Sequence, residues 1–197
     1  MVIFCGSKAS AEQTLRHIIP FIEKKLYLKV NREKTVVAYA GKIKFLGYGF
    51  YKGKKGFALR VHAKTKAKMK ARVRELTSRR KVNDYEEWKK GLKRYIVGWV
   101  NYYKLADMGQ YLKGIDEWMR RRIRMVFWKK WKRVRTRWRN LLVLGISNSN
   151  AGILANSRKG YWRIAVSPIM NTALSNQRLE RAGFQFFYSY YCKSVMV

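Results

Sequence analysis

The stretch from Trp88 to Lys132 constrains this fold more than any other part of the chain. Trp88, Leu92, Tyr95, Ile96, Trp99 and Tyr103 recur at spacings of three and four, which puts them on one helix face. Leu112, Ile115, Met119, Ile123, Val126 and Phe127 repeat the pattern. Ala106-Asp107-Met108-Gly109 interrupts it, so two helices joined by a short break are predicted. The opposite faces carry Lys89, Lys90, Lys93 and Arg94, then Arg120, Arg121, Arg122, Arg124, Lys129, Lys130 and Lys132. One face of each helix builds a core and the other holds a polyanion. Asp116–Arg120 and Glu117–Arg121 are expected to be exposed i,i+4 pairs. Arg120 and Arg124, one turn apart, are expected to follow successive phosphates along one ridge.

The charge gives those basic faces their meaning. The 197 residues hold 45 Lys plus Arg against 11 Asp plus Glu, a formal net charge of +34. Such an excess repels itself in a compact state unless counterions or a polyanion offset it, which points to nucleic acid or an anionic membrane surface. Aromatic residues make up 15% and are interleaved with Arg and Lys, which favours RNA, whose bases stack on rings and guanidinium planes. A membrane surface fits poorly, because the apolar faces are needed for the core. A hydrophobic content of 48% suffices for that core. Cys5 and Cys192 stand far apart in no CxxC spacing and read as reduced thiols in a cytoplasmic setting. His17 and His62 have no ligand pattern around them, so no zinc site is expected. Met1-Val2-Ile3-Phe4 is too short for a signal peptide, and no apolar run reaches the roughly 18 residues of a membrane span.

Along the chain, Met1 to Cys5 reads as a buried strand. Ser7 caps a helix through Lys25, with Leu15, Ile18, Ile19, Ile22 and Leu26 on one face and Pro20 expected to kink or restart it. Tyr27 to Val30 is a short strand. Val36 to Tyr39 and Ile43 to Tyr51 pair as strands across Ala40-Gly41-Lys42. A second hairpin turns at Lys52 to Gly56 and returns over Phe57 to Val61. A basic helix with Met69, Val73 and Leu76 as a thin stripe follows, and Asn83 with Glu86 forms a capping box. Val134 to Asn140 extends the second central helix, and Leu141 to Asn150 loosens into a loop. Ala151 to Ser157, Pro168 to Leu174, and Gln177 to Arg181 before Gly183 are short helices.

Several segments together carry a family resemblance: FIEKKLYLKVNREKT (21–35), KFLGYGFY (44–51), ELTSRR, YIVGWVNYYKLAD, IDEWMRRRIRM, WKKWK and ANSRKGYWRIAVSPIMNTALSN (155–176). Over roughly residues 2 to 183 the chain resembles the C-terminal portion of a bacterial group II intron reverse transcriptase/maturase, with Ile115 where the family pattern has Leu. The resemblance implies an α+β fold in which a small β-hairpin palm remnant precedes a three-helix thumb-like bundle and a short helical appendix. It implies a palm remnant over 1–62, a thumb and maturase-specific helical domain over 63–140, and a DNA-binding-like appendix with an aromatic tail over 141–197. The tail departs from the family pattern, and packing on the body or a frame-altered end both remain open.

The family's Tyr-x-Asp-Asp metal ligands would fall immediately before Met1 and are absent from this sequence. No catalytic residue or metal ligand is therefore expected, and Mg²⁺ belongs to the intact family enzyme. The resemblance implies nucleic-acid contacts at Lys34, at the primer-grip-like Phe45-Leu46-Gly47, at Asn101 and Tyr102, at Arg120, Arg121 and Arg124 with Lys129 and Lys130, and at Arg158, Lys159, Tyr161 and Arg163. Trp99 is expected to be packing. The expected role is binding structured intron RNA and assisting its folding and splicing. The alternatives are one half of a split RNA-directed DNA polymerase, or a truncated relic. Implied partners are group II intron RNA, target DNA and an N-terminal reverse transcriptase fragment, with no membrane.

Overall fold

A helix, three antiparallel strands and a succession of further helices make the fold α+β. The computed structural model describes residues 1–53, 56–80, 82 and 84–195. They divide into two units, Met1–Thr65 and Lys66–Val197. The segment expected as an appendix, 141–197, falls in the second unit with the central helices.

In the first unit, the Ser7 hydroxyl accepts from the Ser10 N–H and caps α1 (Lys8–Lys25), which runs across Pro20 as one helix. No residue of α1 is buried. Met1 to Cys5 forms no strand; Phe4 instead meets the Phe50 ring edge-on at 5.1 Å. Tyr27 to Val30 and Val36 to Tyr39 form no strands either. An extended segment becomes a strand only beside a ladder partner, and the ladders of this sheet join β1, β2 and β3 without these segments.

The stretch read as a single strand from Ile43 is itself a hairpin. β1 (Lys44–Phe45) reverses at Leu46-Gly47 into β2 (Tyr48–Gly53), pairing Phe45 with Tyr48. Leu46 and Gly47 both have positive φ, 49° and 86°. Two left-handed residues match the right-handed twist of the flanking strands, as in the tightest hairpins. A leucine in that conformation is uncommon, so the turn is not signalled in the sequence. β2 pairs with β3 (Gly56–Val61) from Tyr48↔Val61 to Gly53↔Gly56, as the sequence indicates. Lys54 and Lys55 of the expected turn lie outside the described residues.

In the second unit, α2 (Ala63–Leu76) contributes Met69 and Val73 to the core. α3 (Tyr85–Tyr103) starts at Asp84, whose carboxylate accepts from the Glu86 and Glu87 N–H groups. Asn83, the expected cap, lies outside the described residues. α4 (Gly109–Lys130) follows the predicted break. Trp88, Leu92, Ile96 and Trp99 on α3 are buried, as are Leu112, Ile115, Met119 and Ile123 on α4. Burying each such side chain contributes about 1.5–3 kcal/mol.

α4 stops at Trp131, whose carbonyl accepts from Arg137 Nε at 2.8 Å. Val134 onward therefore forms a separate helix, α5 (Val134–Val143), instead of an extension. Gly145 (φ 80°) ends it, with Gly145 N–H donating to Leu142 and Ile146 N–H to Leu141. Asn148-Ser149-Asn150, expected as loop, is the first turn of α6 (Asn148–Ala155). Asn and Ser favour helix starts as much as loops, so the composition alone does not separate the two. Then come α7 (Tyr161–Ile164), α8 (Pro168–Ala173) capped by Ser167, and α9 (Asn176–Arg181) capped by Ser175.

The aromatic tail packs. Phe184, Phe186 and Phe187 are buried, and α10 (Phe187–Val195) lies against α3 and α4. The Phe187 ring meets Trp99 edge-on at 5.8 Å. Among the described residues no helix is long and apolar enough to cross a membrane.

Candidate nucleic-acid interface

Many basic side chains of the second unit are tied to helix C-termini. Arg122 donates to the Thr77 hydroxyl and to the Arg74 and Thr77 carbonyls at the end of α2. Arg124 is buried and donates Nε to Leu174 O at 2.9 Å and Nη2 to Asn176 Oδ1 at 3.0 Å. Arg178 reaches Leu144 O and Ala173 O, and Lys89 reaches Ala182 O. The last carbonyls of a helix lack intrahelical partners and carry partial negative charge, so a cation satisfies both needs. Arg124 is thus turned into the unit, and the expected phosphate ridge of Arg120 and Arg124 does not form.

Asp116 is likewise not an exposed pair member. It is 1% exposed, and its two carboxylate oxygens accept the Phe187 and Tyr188 N–H groups at 2.9 and 2.8 Å. The carboxylate caps the first turn of α10 from a neighbouring helix. Burial pushes its pKa up to about 6; the Tyr188 and Phe187 N–H groups and Arg120 pull it down, and Glu180 pushes it up.

A second set of cations faces outward around α7. The Tyr161 ring has Arg79 at 4.9 Å and Lys129 at 5.4 Å. The Arg121 guanidinium lies 4.0 Å from the Trp162 ring centroid and donates Nε and Nη2 to the Trp162 carbonyl. Arg158, Lys159 and Arg163 are exposed beside these aromatics in the chain. The two basic segments of the sequence, the end of α4 and residues 158–163, are therefore one continuous surface. It alternates cations with ring faces, the pairing that single-stranded RNA uses for phosphates and bases.

The other expected contacts sit elsewhere. Asn101 and Tyr102 are exposed at the end of α3, where Asn101 Oδ1 accepts from the Tyr190 hydroxyl. Lys130 is half-buried in the last turn of α4. Lys34, Phe45, Leu46 and Gly47 belong to the first unit. Lys34 is exposed in a short 3₁₀ turn that Asn31 caps, and Leu46 is exposed at the hairpin tip. Sequence reasoning passed over Arg79 and Trp118. For Trp118 the usable signal is Arg122 four residues on, whose guanidinium stands 5.2 Å from its ring. Among the described residues no three His, Cys, Asp or Glu side chains stand together as a group that could hold a metal ion.

Fold and surface define a basic, aromatic-rich helical domain in which some cations cap helices and others are exposed, a set of them beside the aromatic rings of α7. The comparison with known families identifies it further: residues 66–142 match the group II intron, maturase-specific domain. Over these residues the chain is similar to the maturase-specific region of group II intron maturases. The match runs from α2 into α5 and includes Asn101, Tyr102, Arg120, Arg121, Arg124, Lys129 and Lys130. No match was found among curated proteins.

Proposed function

We propose that the second unit binds group II intron RNA and assists its folding and splicing. The observation that carries this reading is the continuous face formed by Lys129, Tyr161, Arg121 and Trp162 with exposed Arg158, Lys159 and Arg163, on a maturase-specific domain. The cations neutralise phosphates and fix register, while the rings take unstacked bases. Asn101 and Tyr102, and in the first unit Lys34 and Phe45-Leu46-Gly47, are further contacts for RNA or for target DNA. In this reading the unit acts through binding of RNA.

The test is binding of the purified chain to a group II intron transcript and to an unrelated transcript of equal length, over a salt series. Preference for the intron, with affinity falling by roughly 10³ between 50 and 200 mM salt, supports the reading. Equal affinity for both transcripts overturns intron recognition.

One observation favours a second reading, partnership with an N-terminal reverse transcriptase fragment. α1 has no buried residue, and Phe21, Leu26 and Leu28 are exposed. Contiguous apolar exposure of this kind marks interaction surfaces. Co-purification of the two separately produced pieces tests it.

A further inference from the structure

The exposed face continues into a cleft of about 690 Å³ between α4, α7 and the α8–α9 segment. Its size is that of a small-ligand site. Its walls combine three chemistries. Trp118, Trp162 and Val166 supply apolar surface, Asn171 and Asn176 supply amides, and Arg120, Arg121 and Arg124 supply charge.

These groups differ in what they still have to offer. Arg124 is occupied by Leu174 and Asn176. Arg121 is pinned to the Trp162 carbonyl and lies over the Trp162 ring, so guanidinium and indole form one rigid stacked wall. Arg120 is different. Its Nη2 stands 3.7 Å from Glu180, and its Nε is buried with no hydrogen-bond partner. Its guanidinium lies 4.5 Å from the Phe186 ring, which holds it at the cleft wall, and its outer nitrogens have only the long Glu180 contact as an ion pair, so they can take an added anionic oxygen. The two amides are oriented by their partners. Asn171 donates Nδ2 to Val166 O, which leaves Oδ1 as an acceptor. Asn176 presents Oδ1 to Arg124, which leaves Nδ2 as a donor. Glu117 at the lining adds one acceptor for an amine or a ribose hydroxyl.

A flat stacking wall, one amide acceptor, one amide donor and a cation with spare donors together fit a nucleotide better than a peptide or an aliphatic ligand. A paired base is hidden in its helix, so only an unpaired one enters. Resting on the RNA-binding reading above, we propose that this cleft seats one extruded nucleobase of the bound RNA. The base stacks on the Arg121–Trp162 wall, Asn171 and Asn176 meet its edge, and Arg120 takes a flanking phosphate oxygen.

The experiment uses the full chain and two RNA hairpins of one sequence. One carries a single bulged 2-aminopurine, and the other pairs that position. The wild type binds the bulged hairpin roughly tenfold or more tightly, the worth of one stacked base, and quenches its fluorescence. Trp162→Ala abolishes both the preference and the quenching; Trp162→Tyr retains both. Trp162 is 38% exposed, so its truncation leaves the core in place. Should that variant nevertheless misfold, Asn171→Ala, at an exposed position, must narrow the preference. Equal binding of the two hairpins by the wild type overturns the cleft and leaves general RNA binding standing. So does quenching that survives Trp162→Ala. Failure of the wild type to bind either hairpin overturns the RNA-binding reading itself.

Discussion

Replacing Asp116 tests how the tail is held. The carboxylate accepts the first two N–H groups of α10 and is itself buried. Asp116→Ala leaves both donors without a partner in a site closed to water. Each unpaired donor costs about 1–3 kcal/mol, and relief of the carboxylate's own desolvation offsets part, so a net loss of about 2–4 kcal/mol is expected. For a chain of this size that corresponds to a Tm lower by roughly 4–16 °C. Circular dichroism melts read it directly, and hydrogen exchange should show α10 losing protection before α3 and α4. A Tm within about 2 °C of wild type refutes the capping role.

The same residue sets a pH dependence. Its folded-state pKa, about 6, lies above the ordinary 3.8 because burial outweighs the two N–H bonds and Arg120. A raised folded pKa means that its contribution is full below about pH 4 and is lost as pH rises through 6. A shift of this size corresponds to about 3 kcal/mol. Wild-type stability should therefore decline relative to Asp116→Asn between about pH 4 and 6 and run parallel above. Stability gained over that window would mean that the N–H bonds and Arg120 outweigh burial.

Four further outcomes are expected. Arg122→Ala uncaps the end of α2 and should cost about 2–3 kcal/mol in melts; Arg122→Lys should recover little, because one ammonium does not span the three acceptors. Trp99→Ala removes a buried ring packed on Phe187 and should cost about 3–5 kcal/mol, so an unchanged Tm would put Trp99 at the surface. Arg158→Gln, Lys159→Gln and Arg163→Gln together should leave the Tm in place and shrink the salt slope of RNA binding by roughly one unit for each phosphate no longer neutralised. Arg124→Gln should do the reverse, lowering the Tm more than the affinity.

The helical unit was legible because its signals are local. A stripe of Trp, Leu and Ile at spacings of three and four fixes α3 and α4, and Ser167-Pro168 and Gly183 mark helix ends by backbone chemistry. In the first unit the Ser7-capped helix and the β2–β3 hairpin are legible, while the other strands are not, because strand formation depends on a partner that the pattern does not name. Val36 to Tyr39 has strand-favouring Val and Tyr residues yet joins no ladder, and Leu46 holds a turn conformation that leucine rarely takes. Asp116 was misread for a related reason. Its i,i+4 spacing to Arg120 is visible, but its partners lie 71 and 72 residues away.

Net charge is a poor guide to which cations meet a ligand. Arg120, Arg121, Arg122 and Arg124 look alike in the sequence of α4, yet each does different work. Arg122 closes α2, Arg124 holds the end of α8, and Arg121 stiffens an indole, while Arg120 retains a buried donor without an acceptor. With 11 acidic residues in the chain, carbonyls at helix ends take the place of carboxylates as partners. Cations placed this way lie where helix dipoles already favour them, which moderates the self-repulsion that +34 would otherwise impose. In the proposed reading the exposed Arg158, Lys159 and Arg163 beside the rings of α7 meet the RNA, whereas Arg122 and Arg124, held by carbonyls, should read out as stability before they read out as binding.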